Sequence, residues 1–188
     1  MENKTNAVLR TEKRLRTSLS ELLCDKNYKN VSVKELTDNA EMSRAAFYLH
    51  FDSMDTFLRY CKKHLMKVIS EQLIVFLDNR ERLEEVCKRS NLVVSASDRD
   101  LFMQYRSQEI YFIKDRDFNT VNAYFYEYFR KRFSDEFVEK NEVKLEFFIR
   151  AYTVTAMDLF DDYSRDRAKK EMKYTFMVWD KLFPDYEL

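Results

Sequence analysis

The chain has 188 residues, 45% hydrophobic and 35% charged, enough apolar content for a core in one or two helical modules. Glycine is absent and proline occurs once, which excludes a Walker loop, a dinucleotide fingerprint and a nucleophile elbow, and disfavours tight strand hairpins. The 33 basic and 33 acidic residues cancel, so any binding charge must be local, and the composition points to an all-α fold.

The opening Met1-Glu2-Asn3-Lys4 is polar, with no apolar signal core, and no run approaches the roughly 18 apolar residues of a membrane span. Cys24, Cys61 and Cys87 are odd in number and far apart, the pattern of reduced thiols rather than a disulfide framework. A cytoplasmic protein without membrane association is expected.

Val8, Leu15, Leu19, Leu22 and Leu23 lie on one face of a first helix running to about Asp25. Asn27 then offers a left-handed stop in place of glycine. Ser32-Val33-Lys34-Glu35 reads as a capping box opening a short helix to about Ala40. After a tight turn at Glu41 and Met42, Ser43 caps a second short helix through His50. Asp52 or Ser53 opens a longer helix, with Phe57, Leu58, Leu65, Val68, Ile69, Leu73 and Phe76 at helical spacing. A helix near 80–90, a loop over 91–97 and a helix from the Ser97-Asp98 region to about Ile110 follow. Asp115 or Asp117 begins another helix, with Phe118, Val121, Phe125, Phe129 and Phe133 as its stripe. Two closing helices are predicted over roughly 143–163 and 167–183, before Pro184. The first carries Leu145, Phe148, Ile149, Tyr152, Ala156, Leu159, Phe160 and Tyr163, and the second Met172, Phe176, Trp179 and Phe183.

Two short helices joined by a tight turn make a helix-turn-helix, whose second helix presents side chains to the major groove. Over residues 1–34 eight Lys/Arg oppose four Asp/Glu, a net +4, whereas 35–52 hold one Arg against four acids, a net −3. Val31-Ser32-Val33-Lys34-Glu35-Leu36 through Ala40-Glu41-Met42-Ser43-Arg44-Ala45-Ala46-Phe47-Tyr48-Leu49-His50-Phe51 resembles the DNA-binding domain of the tetracycline-repressor (TetR) family. The resemblance covers about residues 9–58, and Ser43, Phe47, Tyr48, His50 and Phe51 fall in register with the family pattern. Asn27 and Glu41 stand where that pattern has glycine, and Met54 near where it has a phosphate-touching lysine. A left-handed backbone at Glu41 would cost about 1–2 kcal/mol.

The expected DNA contacts follow. Ser43 offers its hydroxyl and amide to a phosphate at the recognition-helix start. Arg44 reaches guanine or a phosphate, and Ala45 and Ala46 are small enough for close approach or a thymine methyl. Ser32 and Lys34 hold the neighbouring backbone. The resemblance adds Tyr48 and His50 as phosphate contacts, while Phe47 and Phe51 are core, facing Leu19, Leu22 and Leu36.

Residues 1–53 are therefore expected to form a three-helix helix-turn-helix domain, and 54–188 a helical effector-binding and dimerisation domain. The resemblance implies a homodimer through the last two helices, where Phe148, Tyr152, Leu159, Phe160, Phe176 and Trp179 are candidate interface residues. Phe102, Met103, Tyr105, Phe112, Phe125 and Phe129, with Tyr111, are candidates to line a pocket for an apolar or aromatic effector. The expected activity is that of a ligand-responsive regulator, a repressor, on a palindromic site in double-stranded DNA. The alternative is a co-regulator of the same fold acting through a protein partner. Two histidines and no Glu-x-x-His pair leave no catalytic set to assign. Cys61-x-x-His64 supplies only two metal-ligand types, so neither metal nor cofactor is expected.

Overall fold

The computed structural model of the chain describes residues 6–87, 94–107, 115–160 and 163–188, except the side chains of 105–107 and 115–118. Its helices are α1 (Asn6–Leu22), α2 (Val33–Asn39), α3 (Arg44–Tyr48), α4 (Met54–Asp78), α5 (Leu83–Val86), α6 (Ala96–Ser107), α7 (Asp115–Arg132), α8 (Asp135–Lys140), α9 (Glu142–Met157) and α10 (Arg165–Leu182). No strand occurs among the described residues, and the fold is all-α with the helix-turn-helix at its N-terminal end. Two compact units result. One comprises the described residues within 1–65 and 95–111, the other those within 66–94 and 112–188.

In the first unit, Leu15 and Leu19 on α1 and Leu23 just past its end recur every four residues, buried with Leu36, Phe47, Phe51 and Phe57. Of the two leucines expected together on this face, Leu22 is only half-buried and Leu23 is buried. The three phenylalanines form one aromatic cluster, with Phe47 5.6 Å from Phe51 and 5.8 Å from Phe57. Beside this apolar layer runs a buried polar chain. Tyr60 donates to Glu12 Oε2 at 2.8 Å, Arg16 Nη1 donates to the Tyr60 hydroxyl at 3.1 Å, and Arg16 Nε donates to Asp98 Oδ1 at 2.9 Å. Ser95 donates to the second Asp98 oxygen at 2.7 Å. Burial by itself pushes Asp98 up, but His64 at 3.4 Å, Arg16 and Ser95 together hold its carboxyl below the usual carboxylate value. A buried pair so arranged is satisfied by hydrogen bonds as well as by charge.

The second unit is built on aromatic packing. Trp179 is fully buried, stacked on Phe129 at 5.3 Å and against Phe183 at 4.4 Å, and its Nε1 donates to the Tyr186 carbonyl at 2.8 Å. Tyr152, also fully buried, donates to the Leu73 carbonyl of α4. Tyr128 donates to Asp78 at 2.6 Å. These hydroxyl and indole donors reach acceptors, which lets large rings be buried without an unpaired polar group.

Several boundaries differ from the sequence expectation for local reasons. Asn27 is not left-handed: it is extended (φ −71, ψ 140) and accepts from the Lys29 amide to cap a 3-10 turn at Tyr28–Asn30. The predicted 80–90 helix is a 3-10 turn at Arg80–Arg82 followed by the four-residue α5, while 88–93 lie outside the described residues. Ser95, rather than the Ser97 region, caps α6, accepting from the Asp98 amide at 3.2 Å. Helix α8 was not foreseen, although Ser134 accepts from the Phe137 amide at 3.0 Å and Asp135 and Glu136 favour a helix N-terminus. Helix α9 ends at Met157, with a 3-10 turn at Asp158–Phe160, short of the predicted 163.

Candidate nucleic-acid interface

The start of α2 is a complete capping box. The Ser32 hydroxyl accepts from the Glu35 amide at 3.2 Å, and Glu35 Oε2 accepts from the Ser32 amide at 3.1 Å. Lys26 also bonds Glu35, and that bond, followed by those from Ser32, lowers the Glu35 carboxyl to about 2. The end of α2 is equally regular. The Glu41 amide donates to the Asp38 carbonyl at 3.1 Å and the Met42 amide to the Thr37 carbonyl at 2.9 Å, the paired bonds of a Schellman motif. That motif needs a left-handed residue, and Glu41 supplies it with φ 51, the one positive φ among the described non-glycine residues. The expected substitution of glutamate into a glycine conformation is therefore present.

Ser43 follows at once and caps α3, its hydroxyl accepting from the Ala46 amide at 3.1 Å. Helix α3 is five residues, shorter than predicted, and closes at Tyr48 with the Leu49 amide donating to the Ala45 and Phe47 carbonyls. Phe47 anchors the helix inward while its other faces stay open. Ser43, Arg44 and Ala45 are exposed, and Arg44 holds no ion pair among the described residues. Tyr48 is 48% exposed, with its ring edge-on to Phe47 at 5.3 Å. His50 is half-buried against Phe51. Ser32 and Lys34 are exposed at the start of α2, but Lys34 pairs with Asp38 at 3.0 Å. A groove of about 430 Å³ between α1 and the end of α2 brings Arg10, Lys13 and Arg14 to the same unit's surface.

One side chain on this edge was passed over in the sequence. Leu49 is 85% exposed next to Tyr48, and its signal was an apolar residue at the unspecified position between the pattern's Tyr and His.

The other candidates are divided between the two units. Phe102 is buried in the first unit and Met103 half-buried there, whereas Phe125 and Phe129 are fully buried in the second, with rings against Tyr152 and Trp179. Phe112 and Tyr111 lie outside the described residues, as does the side chain of Tyr105. Phe148, Tyr152, Leu159, Phe160 and Trp179 are buried within their own unit, and Phe176 is half-buried against Tyr152. The broad stripe of the last two helices is thus a core stripe, filled by Leu73, Phe76 and Phe129 of the same unit. What α9 and α10 expose is a different set, Val143, Phe147, Val154, Tyr174 and Met177.

Among the described residues no group of three or more His, Cys, Asp or Glu is placed to hold a metal. Cys61 is fully buried, and burial pushes its thiol well up, away from the reactive thiolate. No described helix is long and apolar enough to cross a membrane.

Comparison with known proteins agrees with the geometry of α2, its turn and α3. Residues 18–61 match the family described as bacterial regulatory proteins, tetR family. A curated relative from Bacillus subtilis (strain 168), the uncharacterized HTH-type transcriptional regulator YwcC, is 43% identical over 63 residues. That match covers 32% of this chain and 27% of the relative's length. No solved structure matches the chain. The capped helix pair and these two matches make residues 18–61 similar to the tetR family of bacterial regulatory proteins.

Proposed function

We propose that the chain is a ligand-responsive transcriptional repressor that binds a palindromic operator as a homodimer and leaves it when a small apolar or aromatic effector binds. Residues 1–53 read the DNA, and 54–188 carry the effector site and the dimer contact. The reading rests chiefly on α3, a Ser43-capped helix anchored by Phe47 that leaves Arg44, Ala45 and Tyr48 open. Arg44 takes guanine or a phosphate, Ala45 meets a thymine methyl, and Ser43, Tyr48, His50, Ser32 and Lys34 hold phosphates. The protein acts by occupancy in the cytoplasm, without catalysis. An effector moves the equilibrium only by binding one state more tightly, and its affinity must fall reciprocally when DNA is bound.

Dimerisation is proposed through the outer faces of α9 and α10. Its support is the exposure of Phe147 (59%) and Tyr174 (70%), each sharing a helical face with a further apolar residue, Val154 and Met177. A two-fold pair of such subunits sets its recognition helices about 34–36 Å apart, one turn of DNA. Phe147→Glu is expected to convert dimer to monomer in sedimentation without loss of helicity; an unchanged dimer would move the contact elsewhere.

A second reading has its own observation. Lys34 is engaged by Asp38, and the Glu41 carboxylate is 91% exposed just ahead of α3, which weakens the field a phosphate would meet. On that reading the chain regulates through a protein partner. Retention of random duplex DNA at moderate and at raised salt separates the two. An enriched palindrome supports the repressor, salt-sensitive retention without a motif means a generic basic surface, and no retention favours the partner.

A further inference from the structure

We propose that Arg14 is a positioning residue for α3: it holds the turn at Glu41 in its left-handed form and so sets the strength of DNA binding, an inference that rests on the DNA-binding reading above. A glutamate does not adopt φ 51 without cost, and the Schellman bonds exist in any such cap, so something further must favour it here. Helix α1 supplies it. Arg14 Nη2 donates to the Ala40 carbonyl at 2.7 Å and to the Glu41 carbonyl at 3.2 Å, and lies 3.9 Å from the Glu41 carboxylate.

The two carbonyls flank the rotatable bonds of Glu41. In an extended residue successive carbonyls point to opposite sides, whereas in a helical or left-handed one they point the same way. A single nitrogen meeting both is therefore compatible with the left-handed turn and not with its extended alternative. The same stretch of α1 grips the end of α2 nearby. Ser18 donates to the Leu36 carbonyl at 2.8 Å, and Asn39 donates to Ser18 at 3.1 Å and to Glu21 at 2.7 Å. Those bonds fix the helix end, and Arg14 reaches past it to the turn that aims α3. The ion pair with the exposed Glu41 carboxylate is screened by solvent, so the charge-assisted bonds to the two carbonyls carry the effect.

Two readouts test this on the full chain: amide hydrogen exchange over residues 40–48, and affinity for the duplex most enriched by the wild-type protein from a random pool. Arg14→Ala should speed exchange at the Met42 amide and weaken affinity about tenfold, with thermal stability checked in parallel. The same change made in a Glu41→Gly background should cost less than about twofold, because glycine needs no clamp. In a Glu41→Ala background the tenfold loss should remain, since the β-carbon is kept and only the ion pair is gone. An equal loss with and without glycine would overturn the proposal and make Arg14 a direct DNA contact. Unchanged exchange in Arg14→Ala would overturn it as well. If exchange responds as stated but the wild-type protein retains no duplex, the clamp stands and its link to DNA is overturned.

Discussion

The first unit is held in register by directional polar bonds and the second by the shapes of large rings. Around α2 and α3 nearly every turn has a named donor and acceptor: the Ser32–Glu35 box, the Schellman pair at Thr37 and Asp38, and the Ser43 cap, while the buried Arg16–Asp98 pair joins α1 to α6. Around Trp179 the contacts are Phe129, Phe133, Phe148 and Phe183, with one indole hydrogen bond among them. Polar bonds specify angle and spacing to a fraction of an ångström, which suits the proposed recognition helix. Ring packing supplies more burial energy but tolerates repacking.

The largest expected effect comes from emptying the ring cluster. Trp179→Ala removes the largest fully buried side chain and should destabilise the protein by about 4 kcal/mol, read as a lower midpoint in urea. A loss under about 1 kcal/mol would mean the rings collapse freely into the void.

Next is the buried pair. Asp98→Ala leaves Arg16 charged and enclosed and should cost about 3 kcal/mol, whereas replacing both by apolar residues, Arg16→Met with Asp98→Leu, should recover most of it. The pair also sets the acid response. Asp98 and Glu35 are both depressed in the folded state, so the unfolded chain binds the more protons in acid and stability falls as pH drops. The Glu35 contribution is complete above about pH 4.5 and fades toward pH 2; that of Asp98 is complete above about pH 3.8 and is lost below it. Thermal melts from pH 6 to pH 2 should flatten in Asp98→Ala relative to wild type. Parallel curves would deny the carboxylate this role.

Smaller still is the cap. Ser32→Ala should cost about 1 kcal/mol by freeing the Glu35 amide, with the second unit's near-UV aromatic signal unchanged.

The same contrast explains what was readable in the sequence. The Ser32-x-x-Glu35 box, the Ser43 cap, the inward Phe47 and Phe51 and the awkward Glu41 were all legible, because each is a residue type whose local bonding fixes its place. Asn27 misled because asparagine serves equally as an extended cap and as a left-handed stop, and only the following turn decides. The stripe from Phe148 to Trp179 identified two helices correctly but not what they face, since periodicity reports an apolar face and is silent on whether its neighbour is the same subunit or another. The Glu12–Tyr60–Arg16–Asp98 chain was invisible for a related reason: Glu12 and Arg16 lie far from Tyr60 and from Asp98 in sequence, and each charged member alone reads as a surface residue. Arg14 was hidden in the same way, one basic residue among several on α1.

The central claim is that α3 reads DNA, and the most direct measurement is equilibrium binding of wild type and Arg44→Ala to the enriched duplex, with melting temperatures taken alongside. Arg44→Ala should lose at least about 1 kcal/mol of binding while its melting temperature stays within error, because the side chain is exposed and holds no ion pair among the described residues. Equal affinity of the two proteins would contradict it and remove α3's first residue from the interface.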